Sequence, residues 1–317
     1  MNKNINAEIN HFTEATKVIK AKVRKNKNNF WPNFFIVGAP RSGTTSLYNY
    51  LKIIPGIYMS QKKEPNYFNK ITIPDNNLWK PVRKKEDYLG LFSEVKDETI
   101  VGEASVHYLS DPEAPKLIHQ IAPNSRILIS LRNPIERTYT AYFARFLYGR
   151  MKGNFHDELP KAIEHWENRG PGLIPLWHGL YADDVKRYLD VFGTEQVKII
   201  IFEEFIKNAK NTMKEILKFL EINQDISHLE FNTAHNPIRF SKSTMLQNLF
   251  RNTKVKKAVN IFPTSSRRYL EDKFLYSRNK PKMLTEDKEI LVKFFSNDVK
   301  KLQKLLGRTI PWPNFVK

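Results

Sequence analysis

The amino-acid sequence predicts an α/β fold: a P-loop-like, three-layer arrangement with a central parallel sheet flanked by helices. Three observations carry that expectation. Short apolar runs recur along the chain and are continuous rather than alternating, as in strands buried on both faces. Helix-like stretches separate them, which is the pattern of crossover units. The first run leads into a Gly-rich turn that opens a helix, the layout of a phosphate-cradling loop.

The elements follow in order. Residues 1–29 read as a basic N-terminal extension, a peripheral helix and then a Lys/Asn-rich linker, and residues 30–317 as a single domain. Phe34-Phe35-Ile36-Val37 is the first expected strand, Gly38 to Thr45 the turn, and Thr45–Lys52 the first helix of the domain. Further strands are expected at "TIVGEA" (99–104), "RILISL" (126–131) and "VKIIIF" (197–202). Helices are expected at Ala114–Ile121, Pro134–Tyr148, Tyr181–Phe192 and Asn211–Leu220, the second of them opened by a proline suited to a first helical position. Ligands of such sheets sit at the carboxyl ends of the strands. The unusual residues of this chain fall there.

Composition narrows the partners. Hydrophobic residues make up 41% and aromatic ones 12%, a globular rather than a disordered balance. The 52 Lys and Arg against 33 Asp and Glu leave a net charge of +19, so the partners are expected to be anionic: nucleic acid, a phosphorylated cofactor, an acidic glycan or an anionic membrane. With no cysteine, disulfides, thiolate metal sites and a Cys nucleophile are excluded. The polar, basic N-terminus has no apolar h-region, and no stretch approaches the roughly 18–20 apolar residues of a membrane span. A soluble, cytoplasmic enzyme is the expectation.

Gly38 and Gly43 have P-loop spacing, but Thr44 stands where the lysine belongs, and the nearest cation is Arg41. Arg41, Ser42, Gly43, Thr44, Thr45 and Ser46 form an anion-binding set of backbone N–H groups, hydroxyls and one planar fork. After "RILISL" comes Arg132, with Thr140 about two helical turns further on. A P-loop kinase would often place a Mg²⁺-holding Asp at that strand end. Arginine there points to a second phosphate, with no metal expected. Glu64, in "QKKEPNYFN", lies between lysines and a proline; it is either a general base, a lysine partner or a solvated loop residue. His107 competes with it as base.

Together these pieces resemble the PAPS-dependent sulfotransferase superfamily, which uses 3′-phosphoadenosine 5′-phosphosulfate (PAPS). They are most similar to heparan sulfate and other carbohydrate sulfotransferases and their bacterial relatives. "GAPRSGTTSLYNYL" resembles the 5′-phosphosulfate loop, and "RNPIERTYTAY" the 3′-phosphate segment, with Arg132 and Thr140 at its two binding positions. The family more often has Ser at the second. "KKEPNYF" is similar to the stretch whose glutamate is the catalytic base, which carries over to Glu64 with Lys63 beside it. "GEASVHYL" (102–109) resembles an element lining the site, with Val106 where Pro is usual, and "GLYADDVKRYL" (179–189) is similar to bacterial members. The resemblance covers roughly Asn33 to Trp312.

It implies an in-line transfer of the sulfuryl group from PAPS to an acceptor hydroxyl of a sugar or natural-product small molecule, leaving adenosine 3′,5′-bisphosphate. Arg41 is then the counterpart of a loop lysine found in many glycan enzymes. Tyr181, Arg278 and Lys280 are further candidate cofactor contacts, with Trp177 and His178 near the same rim. An amine acceptor, a P-loop kinase or NTPase, and a nucleic-acid-binding protein are the alternatives. Oligomeric state is left open.

Overall fold

A computed structural model describes residues 30–70, 80–147, 153–167, 174–231, 240–241, 276–277 and 280–315. Its centre is a five-stranded sheet of β1 (Phe34–Gly38), β2 (Ile57–Met59), β3 (Ile100–Ala104), β4 (Arg126–Leu131) and β5 (Val197–Ile201). The order is β2-β3-β1-β4-β5, and every pairing is parallel. β1 has the earlier-pairing strands β2 and β3 to one side and β4 and β5 to the other. The order thus switches at β1, and the crevice at its carboxyl end is the ligand position of such sheets.

Alternate residues of each strand point to opposite faces, and both faces are covered, so the strands read as continuous apolar runs. Phe34, Ile36 and Leu128 pack with Leu47 and Leu51 of α1 (Thr44–Lys52) and with Met213, Ile216 and Leu217 of a helix over Ala209–Phe219. Phe35, Val37, Ile127 and Ile129 pack on the other side. There they meet Ile135, Tyr139 and Tyr142 of a helix over Pro134–Leu147, Val185 and Tyr188 of one over Ala182–Phe192, and Leu291, Phe295 and Val299 of one over Thr285–Leu306. Numbered in chain order, with α2 at Lys85–Gly90, α3 at Ala114–Ile121, α5 at Phe155–Glu167 and α7 at Phe202–Lys207, these four helices are α8, α4, α6 and α9.

The three-layer parallel sheet is as expected, and the β4 and α3 bounds coincide with the expected ones. Elements that were not expected include β2, α2, α5 and α7. Several expected bounds shift by a residue or two, and two of the shifts have a clear local reason. α8 begins at Ala209, because the Asn208 side chain accepts the Asn211 N–H at 3.1 Å and so caps the helix earlier. Phe202 does not extend β5 but opens α7. The N-terminal extension (1–29) lies outside the described residues, as do Tyr148 and Arg278. A short antiparallel pair, β6 (Phe240–Ser241) and β7 (Tyr276–Ser277), lies apart from the main sheet.

Candidate functional site

The carboxyl ends of β1, β3 and β4 carry the residues singled out by sequence. The turn after β1 is closed by short backbone bonds: Ala39 N–H donates to Ser130 O at 2.7 Å and Ser42 N–H to Ala39 O at 3.3 Å. Ser130 Oγ donates to Ser42 O at 2.6 Å, so β4 grips the loop from its side. Arg41 and Gly43 both sit in left-handed backbone, with φ of 68° and 80°. Gly43 is the residue before α1 and offers no side-chain cap. The first N–H groups of a helix lack partners inside it, which with the helix dipole suits an anion. Of the loop hydroxyls, Ser42 and Thr44 are buried and Thr45 and Ser46 half-buried.

Arg132 leaves the end of β4 and reaches back across β1. Its Nη1 donates to Arg41 O at 3.1 Å, and its guanidinium lies 4.7 Å from the Phe202 ring. Its Nε is buried and has no hydrogen-bond partner among the described residues. Burial pulls its pKa down, while the charges of Glu136 and Glu203 pull it up. A buried, unpartnered N–H on a permanently charged fork is a donor suited to phosphate. Thr140 is buried on α4, on the corner that Arg132 opens. Three residues before it, Arg137 is fully buried: Nη2 donates to Pro175 O at 2.6 Å, while Nε and Nη1 have no partner among the described residues.

Glu64 is almost buried, 6% exposed, and its backbone is left-handed, with φ of 64°; Asn66 has φ of 53°. Left-handed backbone at non-glycine residues costs about 1–3 kcal/mol each and persists only where surroundings over-determine it. Here Glu64 N–H donates to Ala104 O at 2.8 Å, and Asn66 Nδ2 donates to Glu64 O at 3.0 Å. Lys63 Nζ stands 2.8 Å from Glu64 Oε1. His107 is pushed down in pKa by burial, while the Glu64 charge pulls it up and those of Lys63, Arg145 and Arg41 pull it down. Both expected bases therefore share one electrostatic neighbourhood with Arg41. The His107 ring lies 5.2 Å from that of His178, which burial holds well below its ordinary value, so His178 is neutral at pH 7. Ser110 Oγ lies 3.1 Å from His178 Nδ1.

Tyr181 and His178 are buried rather than at a rim, and Trp177 is half-buried. Tyr181 donates its hydroxyl to Arg132 O at 2.9 Å, and its N–H goes to Asp298 Oδ2 of α9 at 2.7 Å. It braces the arginine's backbone. Lys280 pairs with Glu136 and lies 4.9 Å from the Tyr139 ring. Sequence reasoning missed several supports. Glu203 accepts Asn133 N–H and Trp312 Nε1–H, both at 3.0 Å, fixing the turn after Arg132. Glu103 of β3 is fully buried and accepts three hydroxyls. A carboxylate inside the apolar run "TIVGEA" was the signal for it. Phe202, under both Gly43 and Arg132, gave no signal.

Comparison with known proteins identifies this architecture. A family model described as the sulfotransferase domain matches residues 32–306. Carbohydrate sulfotransferase 15 of Homo sapiens is 28% identical over 245 residues, covering 60% of this chain and 44% of its own. Bifunctional heparan sulfate N-deacetylase/N-sulfotransferase 2 of Homo sapiens is 26% identical over 289 residues, covering 87% of this chain and 30% of its own. This chain thus spans less than half the length of either. A crystal structure of a sulfotransferase from Alicyclobacillus acidocaldarius is 32% identical with a TM-score of 0.65, covering 89% of this chain and 98% of that one.

Proposed function

The chain belongs to the sulfotransferase domain family, and on that premise we propose that it transfers a sulfuryl group from PAPS to a hydroxyl of a sugar or glycan acceptor, with Glu64 as general base. One observation carries the reading. The phosphate loop and the 3′-phosphate arginine are locked into one unit, Arg132 Nη1 to Arg41 O at 3.1 Å, with the Nε of Arg132 buried and unpartnered beside them. Two anionic groups of one nucleotide suit that unit better than a metal-bound triphosphate does.

When bound, the donor supplies an activated sulfuryl group on a bridging phosphate oxygen. The loop N–H groups and Arg41 hold the 5′ end; Arg132 and Thr140 hold the 3′ end. Glu64 accepts the proton of the acceptor hydroxyl as its oxygen bonds to sulfur and the sulfur–bridging-oxygen bond breaks. Lys63, with its Nζ 2.8 Å from Oε1, holds that carboxylate in place. Arg41 stays protonated and stabilises charge on the bridging oxygen rather than donating a proton. His107, neutral at pH 7, is the second group able to accept that proton.

Calorimetric titration with adenosine 3′,5′-bisphosphate tests the donor, and transfer from labelled PAPS to desulfated glycans tests the acceptor. The relative named as a heparan sulfate N-sulfotransferase supports a second acceptor class, an amine. Paired N-acetylated and N-unsubstituted glycans separate the two.

A further inference from the structure

Glu103 stands behind the candidate base, not beside the acceptor. We propose that it is a positioning residue: its carboxylate orients the hydroxyls of Ser105 and Tyr108 so that they hold the backbone of the Glu64 loop. The inference rests on the reading of Glu64 as the base.

The geometry forms two short chains of hydrogen bonds. Ser105 Oγ donates to Glu103 Oε2 at 2.6 Å and accepts Asn66 N–H at 3.0 Å. Tyr108 OH donates to Glu103 Oε1 at 2.9 Å and accepts Phe68 N–H at 3.2 Å. A hydroxyl has one proton and two lone pairs. Once that proton is committed to an ionised carboxylate, the hydroxyl can only accept, and what it accepts here is loop backbone. Tyr88 OH also donates to Glu103 Oε1, at 2.8 Å, and its ring stacks 4.3 Å from that of Tyr67. Both anchored amides follow within four residues of Glu64, and one belongs to Asn66, whose φ of 53° needs such restraint.

Burial pushes Glu103 up to about 7, and the Glu64 charge adds to that, so the carboxylate form is kept against its surroundings by the three hydroxyls. A group retained in this way is expected to loosen one loop when replaced, not to unfold the chain. An amide at 103 must aim its NH₂ either at Ser105 or at the two tyrosines. The hydroxyl it meets can then no longer donate there, and the direction of that chain is lost.

The test is backbone amide exchange at pH 8 on the full chain, for wild type, Glu103→Gln, Ser105→Ala and Tyr88→Phe. Exchange across residues 64–69 should rise about tenfold in the first two variants, the factor that one lost hydrogen bond represents. It should stay near wild type in Tyr88→Phe. Exchange in α8 and the Glu103→Gln affinity for adenosine 3′,5′-bisphosphate should not change appreciably. Unchanged protection of 64–69 in both Glu103→Gln and Ser105→Ala overturns the proposal. So does a rise shared equally by α8. If Glu103→Gln does not fold, Ser105→Ala decides. With PAPS and desulfated heparan, Glu103→Gln should lower kcat, not the KM for PAPS, and the loss should vanish in a Glu64→Gln background. Full additivity there contradicts action through Glu64. No wild-type turnover on that glycan counts against the acceptor reading alone, since the exchange data still decide the role of Glu103.

Discussion

Replacing Gly43 by alanine tests how the phosphate loop is held. Gly43 has φ of 80°, and an added Cβ would meet Phe202 Cδ2 at 2.8 Å and Cε2 at 2.9 Å. Left-handed backbone costs a non-glycine residue about 1–2 kcal/mol. Forcing a methyl group into a packed ring costs about 1–3 kcal/mol more. A destabilisation of about 2–5 kcal/mol follows, or a fall in thermal midpoint of about 4–10 °C at about 2 °C per kcal/mol for a chain of this size. Phe202 cannot yield without moving the guanidinium of Arg132, 4.7 Å from its ring. Affinity for adenosine 3′,5′-bisphosphate should therefore fall at least tenfold as well, about 1.4 kcal/mol. Gly307→Ala is the control: its backbone is left-handed too, with φ of 63°, but nothing lies within 4 Å of the added Cβ. It should show the backbone cost alone and bind the bisphosphate normally. Scanning calorimetry and isothermal titration measure both quantities. If Gly43→Ala behaves like Gly307→Ala in both, the contact from loop through Phe202 to Arg132 is not what holds the site.

Glu64→Gln should lower kcat by about 10²–10⁴-fold, the contribution of a positioned base, with bisphosphate affinity near wild type; a loss under tenfold in steady-state turnover points to His107 instead. Glu103 predicts a pH dependence of stability. Its folded-state pKa, about 7, lies above the ordinary 4.5, so its contribution is full below about pH 4.5 and is lost as pH rises through about 7. Integrated over that gap it amounts to at most about 3 kcal/mol. Urea unfolding should show the stability of wild type relative to Glu103→Gln falling by up to that amount from pH 5 to pH 8; a flat difference contradicts the shift. Ser130→Ala removes the 2.6 Å bond to Ser42 O and should cost about 1 kcal/mol of stability, with weaker bisphosphate binding by titration. Unaltered binding would mean that β4 does not brace the loop.

Much of this was legible in the chain. "RILISL" and Ala114–Ile121 coincide with β4 and α3 because each is a full apolar or amphipathic segment bounded by turn residues. The loop could be placed because Gly38 and Gly43 flank a run with no other use for such spacing. β2 was not legible, since three residues carry too little periodicity to be told from a loop. Phe202 reads as the last residue of an apolar strand, and only tertiary packing turns it into the floor beneath Gly43 and Arg132. The left-handed backbone of Glu64 has no local signature either: it is held by Ala104 and, through two hydroxyls, by Glu103, some forty residues away. Tyr181 is similar. Its neighbours in "GLYADD" suggest an open rim, whereas Asp298 on α9 and Arg132 just past β4 draw it inside.

The central claim is that the loop and Arg132 together bind a nucleotide carrying separate 5′ and 3′ anionic groups. Isothermal titration with adenosine 3′,5′-bisphosphate beside ATP·Mg²⁺, on wild type and Arg132→Ala, tests it most directly. The account predicts tight binding of the bisphosphate, weak binding of ATP·Mg²⁺, and a loss of at least about 2 kcal/mol, some thirtyfold, in the variant, as for a charge-assisted pair. Stronger binding of ATP·Mg²⁺ than of the bisphosphate, or an Arg132→Ala protein that binds as wild type does, would contradict it.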